Sequence, residues 1–172
     1  MAPPRIATRR IRRVEFHRTK YGRELLVDVI RTGSIPAFDL GDEPHVLTFY
    51  EIFLITRGRV DLTLDGVPYP VTPGSVFFTS PGQPRQWRAR RLDGLCLFFT
   101  ADFVEEFFKD PLFLFKLPYF HRAGGDLRLA LPSTEAASLG RRLRSMQREI
   151  RRLRADSPDA LRATLYETLV HL

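Results

Sequence analysis

Short apolar segments separated by turn residues occupy the first hundred positions of the chain. The run Leu25-Leu26-Val27-Asp28-Val29-Ile30 is apolar and β-branched, which predicts a buried strand. Asp65-Gly66 predicts a two-residue hairpin, because this turn needs positive φ at both positions. Pro68 and Pro70 place the returning strand near an edge of the sheet. The other predicted strands cover residues 46–56, 59–64, 67–71, 75–80, 83–90 and 95–100. Their regular spacing predicts a barrel or a sandwich.

The last seventy residues have helical periodicity instead. A first helix is predicted over Ala101–Lys109, a second from about Pro132 to Arg154, and a third from Ser157 onward to Leu172. The apolar positions of the second helix repeat every four and three residues, like the seam of a helix–helix contact. Such a seam either joins two subunits or packs within one, and two heptads do not distinguish these arrangements. The seam residues, which are the candidate dimerisation residues, are Leu139, Leu143, Met146, Ile150 and Leu153.

Length and charge narrow the class of protein. A chain of 172 residues suits one domain, and its net charge of +7 arises from 24 arginines and only three lysines. This excess of positive charge favours binding to polyanions such as nucleic acid, although arginines on a solvated surface explain it equally well. The basic residues cluster at the start of the chain and again over residues 141–154. A single cysteine, Cys96, forms no internal disulfide, and no apolar run is long enough for a membrane span. The expected location is therefore the cytoplasm, with no membrane partner.

Two motifs carry a resemblance to a known family. The first runs from Pro44-His45 through Tyr50-Glu51-Ile52 to Arg57-Gly58, and the second from Pro73-Gly74-Ser75 through Pro81-Gly82-Gln83-Pro84. They resemble the signature motifs of the cupin superfamily, in the version found in the sensor domains of AraC-type (AraC/XylS-type) transcription regulators. The resemblance implies a mainly β protein with C-terminal α structure: a cupin-like (jelly-roll) β-barrel followed by two or three helices. The implied divisions are a basic N-terminal arm at 1–23, the barrel at 24–100, and a helical dimerisation and linker region at 101–172.

Metal-binding cupins hold their ion with three histidines and a glutamate from these motifs. Only His45 and Glu51 remain here, because the other two positions are Leu47 and Arg85. Leucine has no donor atom, arginine is cationic, and two protein ligands are too few for the usual catalytic zinc or iron site. We therefore expect no metal, no cofactor and no catalytic residues. The alternative is a stand-alone cupin enzyme, such as a metal-dependent isomerase or dioxygenase, and the two lost ligands count against it.

The remaining motif residues suit a small-molecule site. Strand residues alternate between faces, so one face of each motif is expected to line the lumen of the barrel. A mostly apolar pocket with a few fixed polar groups is typical of ligand sites. Glu51 and Arg85 either pair with each other or contact a ligand, and Trp87 is either core filler or pocket wall. The candidate ligand-binding residues are His45, Phe49, Glu51, Phe53, Phe77, Thr79, Arg85 and Trp87.

The resemblance implies the effector-sensing and dimerisation domain of an AraC-type regulator. Its expected partners are a small-molecule effector (a sugar, a small carboxylate or an aromatic acid) and a second copy, bound through a C-terminal helix. DNA is expected to bind only through a C-terminal helix-turn-helix domain that these 172 residues do not include. A further alternative is an occluded structural barrel that acts only in dimerisation.

Overall fold

A computed structural model describes residues 11–34, 43–108, 110, 112–121 and 126–172, with the backbone alone at residues 89–91 and 107–108. The first ten residues of the predicted basic arm lie outside this part. The strands are β1 Arg12–Val14, β2 Val27–Arg31, β3 His45–Leu47, β4 Tyr50–Leu64, β5 Val67–Pro70, β6 Ser75–Thr79, β7 Arg85–Phe99 and β8 Arg128–Ala130. The helices are α1 Ala101–Phe108, α2 Ser133–Arg152 and α3 Ser157–Val170. The predicted fold class, mainly β with C-terminal helices, is confirmed.

Two strands of 15 residues each, β4 and β7, form the framework of the sheet. They pair antiparallel from Tyr50 opposite Phe99 to Leu64 opposite Arg85. The sequence predicted each as two shorter strands, which is wrong, because β4 continues through Gly58 with shifts in register rather than a break. Gly94 of β7 permits the close approach of the two strands. A Cβ atom at this position would lie 2.5 Å from the carbonyl oxygen of Leu54.

The β4–β7 ribbon curls until its two ends meet. Glu51 lies thirteen positions before Leu64, the register partner of Arg85, so a flat ribbon would separate Glu51 from Arg85 by roughly 43 Å. The two side chains instead form a hydrogen-bonded ion pair. The ring of Trp87 likewise lies 4.9 Å from that of Phe53, centroid to centroid. The sheet therefore encloses a lumen between its ends.

The shorter strands complete the sheet. β1 pairs parallel with β3, β2 pairs with the end of β7, and β5 returns along β4 from the predicted hairpin. The hairpin is confirmed by positive φ angles at Asp65 (50°) and Gly66 (77°). In the described sheet β5 pairs with β4 alone, as the prolines predicted. The sequence missed β8, which pairs with β6, because three residues are too few to show a period.

Alternation along the strands divides the apolar residues into two cores. On β4, Phe53 and Ile55 face the lumen, whereas Ile52 and Leu54 face the helices. The outer core fills the space between the sheet and α1, α2 and α3. The buried members of the lumen core are Phe53, Ile55, Val60, Leu62, Leu64, Val71, Phe77, Trp87, Cys96 and Leu127.

The apolar seam of α2 is used within the chain. Leu139, Leu143, Met146 and Ile150 are 0–3% exposed and belong to the outer core, and Leu153 packs against it partly buried. These side chains are not open to a second subunit, so their assignment to a dimer contact is corrected to packing on the sheet and on α3. The helix ends two residues earlier than predicted, because Leu153 adopts a left-handed conformation (φ 40°) at its C-cap.

In the described part of the chain, the helices are too short or too polar to cross a lipid bilayer.

Replacing Leu143 by Ala is expected to lower the free energy of unfolding by about 2–5 kcal/mol, because it leaves a cavity in the outer core. Chemical denaturation at several protein concentrations measures this loss. The loss should not depend on concentration, since the side chain packs within one chain. Ser145→Ala, on the exposed face of the same helix, is the control and should change stability by under about 0.5 kcal/mol. A destabilisation that grows with protein concentration would instead place Leu143 in a subunit interface, because association stabilises the wild type more as its concentration rises.

Candidate functional site

A buried polar cluster lies in the lumen where the ends of the ribbon meet. Arg85 donates a hydrogen bond from Nη1 to Oε2 of Glu51. The same carboxylate oxygen accepts from Oγ1 of Thr79 at 3.2 Å. Nε of Arg85 donates to Nε2 of His45 at 3.0 Å. All four side chains are at most 6% exposed, so the cluster is a closed network of charge-assisted hydrogen bonds.

The network defines the protonation state of His45. Its Nε2 atom accepts from Arg85, and therefore carries a lone pair. The proton of the neutral ring then lies on Nδ1, which donates to the carbonyl oxygen of Glu43 at 3.2 Å. Strand pairing sets this geometry, because His45 of β3 is the register partner of Arg85. His45 thus acts as a neutral acceptor that orients the guanidinium.

Burial dominates the electrostatics of the acid. Removal from water raises the pKa of the Glu51 carboxyl, and the charge of Arg85 opposes this, as do hydrogen bonds from Thr79 and Cys96. Burial, followed by the charge of Glu51, raises the pKa of the Cys96 thiol well above its ordinary value. Glu51 is thus a carboxylate whose charge depends on one guanidinium.

Trp87 supplies an unsatisfied donor beside this network. Its side chain is 1% exposed, and its indole Nε1 has no hydrogen-bond partner among the described residues. The ring packs against Phe53 and Phe77, and the Arg85 guanidinium lies 5.9 Å from its centroid. A buried donor without an acceptor costs about 1–3 kcal/mol. The lumen therefore holds a donor that an oxygen acceptor would satisfy.

The structure brings together seven of the eight residues predicted for the site. These are His45, Glu51, Phe53, Phe77, Thr79, Arg85 and Trp87. Phe49 instead packs edge-on against Phe16 and Phe98. Cys96 was not predicted for the site from the sequence, but it is fully buried in the lumen core. Cys96 pairs with the lumen residue Phe53 in the register of β4 and β7, which explains its position. The residues around it are uniformly apolar, so the sequence showed no alternation from which this position could be predicted. Tyr69, whose ring lies 6.0 Å from that of Phe77, was also missed.

The donors of this cluster do not fit a divalent cation. Both His45 and Glu51 direct their donor atoms at the guanidinium of Arg85, which occupies the position of a cation. Leu47, at another ligand position of the family motif, is an apolar side chain 1% exposed. A metal would have to displace a permanent positive charge and would find two protein ligands.

Two open cavities outside the lumen flank α2. One, of about 250 Å³, lies between the start of α2 and the end of α3, and includes Glu135, Arg142 and His171. The other, of about 300 Å³, lies between α2 and the sheet, and includes Leu54, Gly74, Gly140 and Arg144. Residues of the buried polar cluster line neither cavity.

The family model of the AraC-like ligand binding domain matches residues 40–169. The chain belongs to this family. The match covers the whole polar cluster together with α2 and most of α3, so the resemblance seen in the motifs is confirmed. No curated protein sequence gives a significant match.

Solved structures show distant similarity. The AraC-like transcriptional activator CuxR is 16% identical, with a TM-score of 0.43 over 84% of this chain and 62% of that one. ToxT from Vibrio cholerae is 14% identical, with a TM-score of 0.40 over 68% of this chain and 46% of that one. A cupin 2 conserved barrel domain protein from Salinispora arenicola is 20% identical, with a TM-score of 0.31 over 47% and 82% of the two chains. The chain thus spans about half to two thirds of the length of the two regulators.

Replacing Arg85 by Met is expected to lower the free energy of unfolding by about 3–5 kcal/mol near neutral pH, because it leaves the Glu51 carboxylate buried without its cation. Without the guanidinium, the pKa of the Glu51 carboxyl in the folded state lies even further above its value in the unfolded state. The stability of this variant is therefore greatest at acidic pH, and is lost as the pH rises above the ordinary carboxyl value of about 4.5. Urea denaturation across this pH range measures the slope.

The double variant Glu51→Gln with Arg85→Met is the matched control. It removes the titrating group, so the added pH dependence should disappear and much of the stability should return. Equal pH profiles for the single and double variants would contradict the dependence of Glu51 on Arg85.

Proposed function

We propose that this chain is the effector-sensing domain of an AraC-type transcription regulator, and that it binds a small molecule in the lumen beside Arg85 and Trp87. The observation that carries the proposal is the buried indole N–H of Trp87, which has no acceptor in the described structure and lies against a guanidinium. Membership of the AraC-like ligand binding family supports a sensing role. The arrangement favours sensing over catalysis, because the four polar side chains of the cluster hydrogen-bond to one another.

The geometry favours an acid as the effector. Arg85 and Trp87 present donors, which a carboxylate or another oxygen acceptor satisfies. Such a ligand competes with Glu51 for the guanidinium. A bound acid places a second negative charge beside the Glu51 carboxylate. Because burial already raises the pKa of Glu51, this carboxyl takes up a proton and the repulsion is removed. Effector binding is thereby an exchange of one carboxylate for another on a fixed cation.

We also propose that the helical region joins two subunits. The inner face of α2 is occupied by the sheet, so a homodimer contact has to use outward positions of α2 or α3. On α3, Tyr166 and Val170 are 40% and 53% exposed. Sedimentation equilibrium of the chain with and without effector measures whether the subunits associate.

A thermal-shift panel of sugars, small carboxylates and aromatic acids is expected to find stabilising ligands among the acids. A ligand at a hundredfold excess over its dissociation constant stabilises by about 2.7 kcal/mol. Trp87→Phe keeps an aromatic side chain, although a smaller one, and removes the donor. It should weaken the binding of an acid roughly tenfold or more, as expected for a lost hydrogen bond to a charged group. Affinity for the acid should also rise as the pH falls from about 7 to 5, and Glu51→Gln should abolish this dependence.

Tyr119→Phe is the matched control, because it also removes one donor from an aromatic ring, here the hydroxyl that donates to the carbonyl oxygen of Leu169 in the outer core. It should alter stability and leave ligand affinity unchanged. If no compound of the panel stabilises the protein, the alternative function is favoured, namely an occluded barrel filled by Trp87, Phe53 and Phe77. A hit that Trp87→Phe leaves unchanged would place the ligand elsewhere.

A further inference from the structure

The outward face of α2 carries a stripe of arginines. Arg141, Arg144, Arg148, Arg151 and Arg152 are all exposed, and at 100° per residue they fall within one third of the helix circumference. We call this set the arginine stripe. It lies opposite the buried Leu139, Leu143, Met146 and Ile150. With a rise of 1.5 Å per residue, the stripe extends over roughly 16 Å.

The stripe lacks compensating carboxylates. The other two arginines of this region do have them, since Arg142 pairs with Glu167 and Arg154 with Glu149. Across the described residues, the five members of the stripe form no ion pair. Their spacings of three and four residues bring like charges together, which destabilises a helix. The stripe therefore has an electrostatic cost that an external polyanion would offset.

Part of the stripe has a structural explanation. Arg151 and Arg152 lie in the last turn of α2, where positive charge interacts favourably with the helix dipole. Arg141, Arg144 and Arg148 lie earlier, where this effect has faded. These three residues carry the inference.

We propose that the arginine stripe of α2 binds the phosphate backbone of double-stranded DNA without reading its sequence. Arginine suits this role because its planar guanidinium matches phosphate geometry, and the chain has 24 arginines against three lysines. The length of the stripe corresponds to about five nucleotide rises along the duplex axis. We choose DNA among the possible polyanions because of the proposed regulatory function. The DNA contact is measured without any effector, so the result does not depend on the proposed ligand site. This departs from the expectation that DNA binds only through a domain outside these residues.

A membrane surface is less suitable as the partner. A helix that lies on a lipid bilayer needs an exposed apolar face beside its basic one. The apolar face of α2 packs on the sheet, and the large hydrophobic side chains exposed in the described chain lie outside α2. The stripe offers charge alone, which suits a hydrated phosphate backbone.

Fluorescence anisotropy with a short duplex of random sequence, from about 20 to 200 mM salt, tests the contact. The wild-type chain should bind with a steep salt dependence. The variant R141Q/R144Q/R148Q should bind at least tenfold more weakly at about 0.1 M salt, and the log–log salt slope should fall by about 2.7 for three lost phosphate contacts. The matched control R57Q/R59Q/R88Q removes the same charge from exposed positions on the barrel, and should change the slope by less than about 1.

A second measurement locates the duplex directly. Cys96 is the chain's only cysteine and is fully buried, so R144C or R57C each adds one accessible thiol. An iron-chelate cleavage reagent attached at position 144 should cut bound DNA, and one attached at position 57 should not. Three results would overturn the proposal: absence of salt-dependent binding by the wild type, equal losses in the two triple variants, or tighter binding to polyglutamate than to DNA. The last would assign the stripe to an acidic protein surface.

Discussion

The ion pair between Glu51 and Arg85 joins the two ends of a ribbon whose strands are each 15 residues long. Its partners are brought together only by curvature, so the pair depends on the closed barrel. Desolvation makes the pair costly, and His45 and Thr79 offset part of this cost as further hydrogen-bond partners. A lumen built in this way has one fixed cation at its polar end and aromatic rings around it.

Alternation and turn chemistry were enough to predict most strands, the hairpin at Asp65-Gly66 and the three helices, because each of these depends on local sequence. The joining of β4 into one strand was not predictable, since Gly58 is a break signal in isolation and only its cross-strand partner shows that pairing resumes. The motif resemblance placed His45, Glu51 and Arg85 in one site. It did not reveal Cys96, because every residue from 95 to 99 is apolar and only the tertiary fold separates those facing the lumen from those facing the helices.

The seam of α2 illustrates a different limit of sequence reasoning. Spacing correctly identified one apolar face, but the sheet of the same chain covers that face, and periodicity does not say what lies against a helix. The sequence also did not show whether the arginines of the same segment face outward or pair within the chain. This became clear only from the position of α2 on the sheet. Orientation places the arginines on the outside in one stripe, whereas Arg142 and Arg154 turn to carboxylates of the same chain.

The wall between the lumen and α2 is a single strand thick. Phe53 faces the lumen, and the next residue, Leu54, reaches α2 at Gly140, where an added Cβ atom would lie 3.6 Å from its Cδ2. A helix that meets a strand at a glycine has no side chain there to rotate out of the way. Outward movement of β4 at Phe53 would therefore carry the Leu54 side chain toward the backbone of α2 at Gly140, beside the open cavity that both residues line.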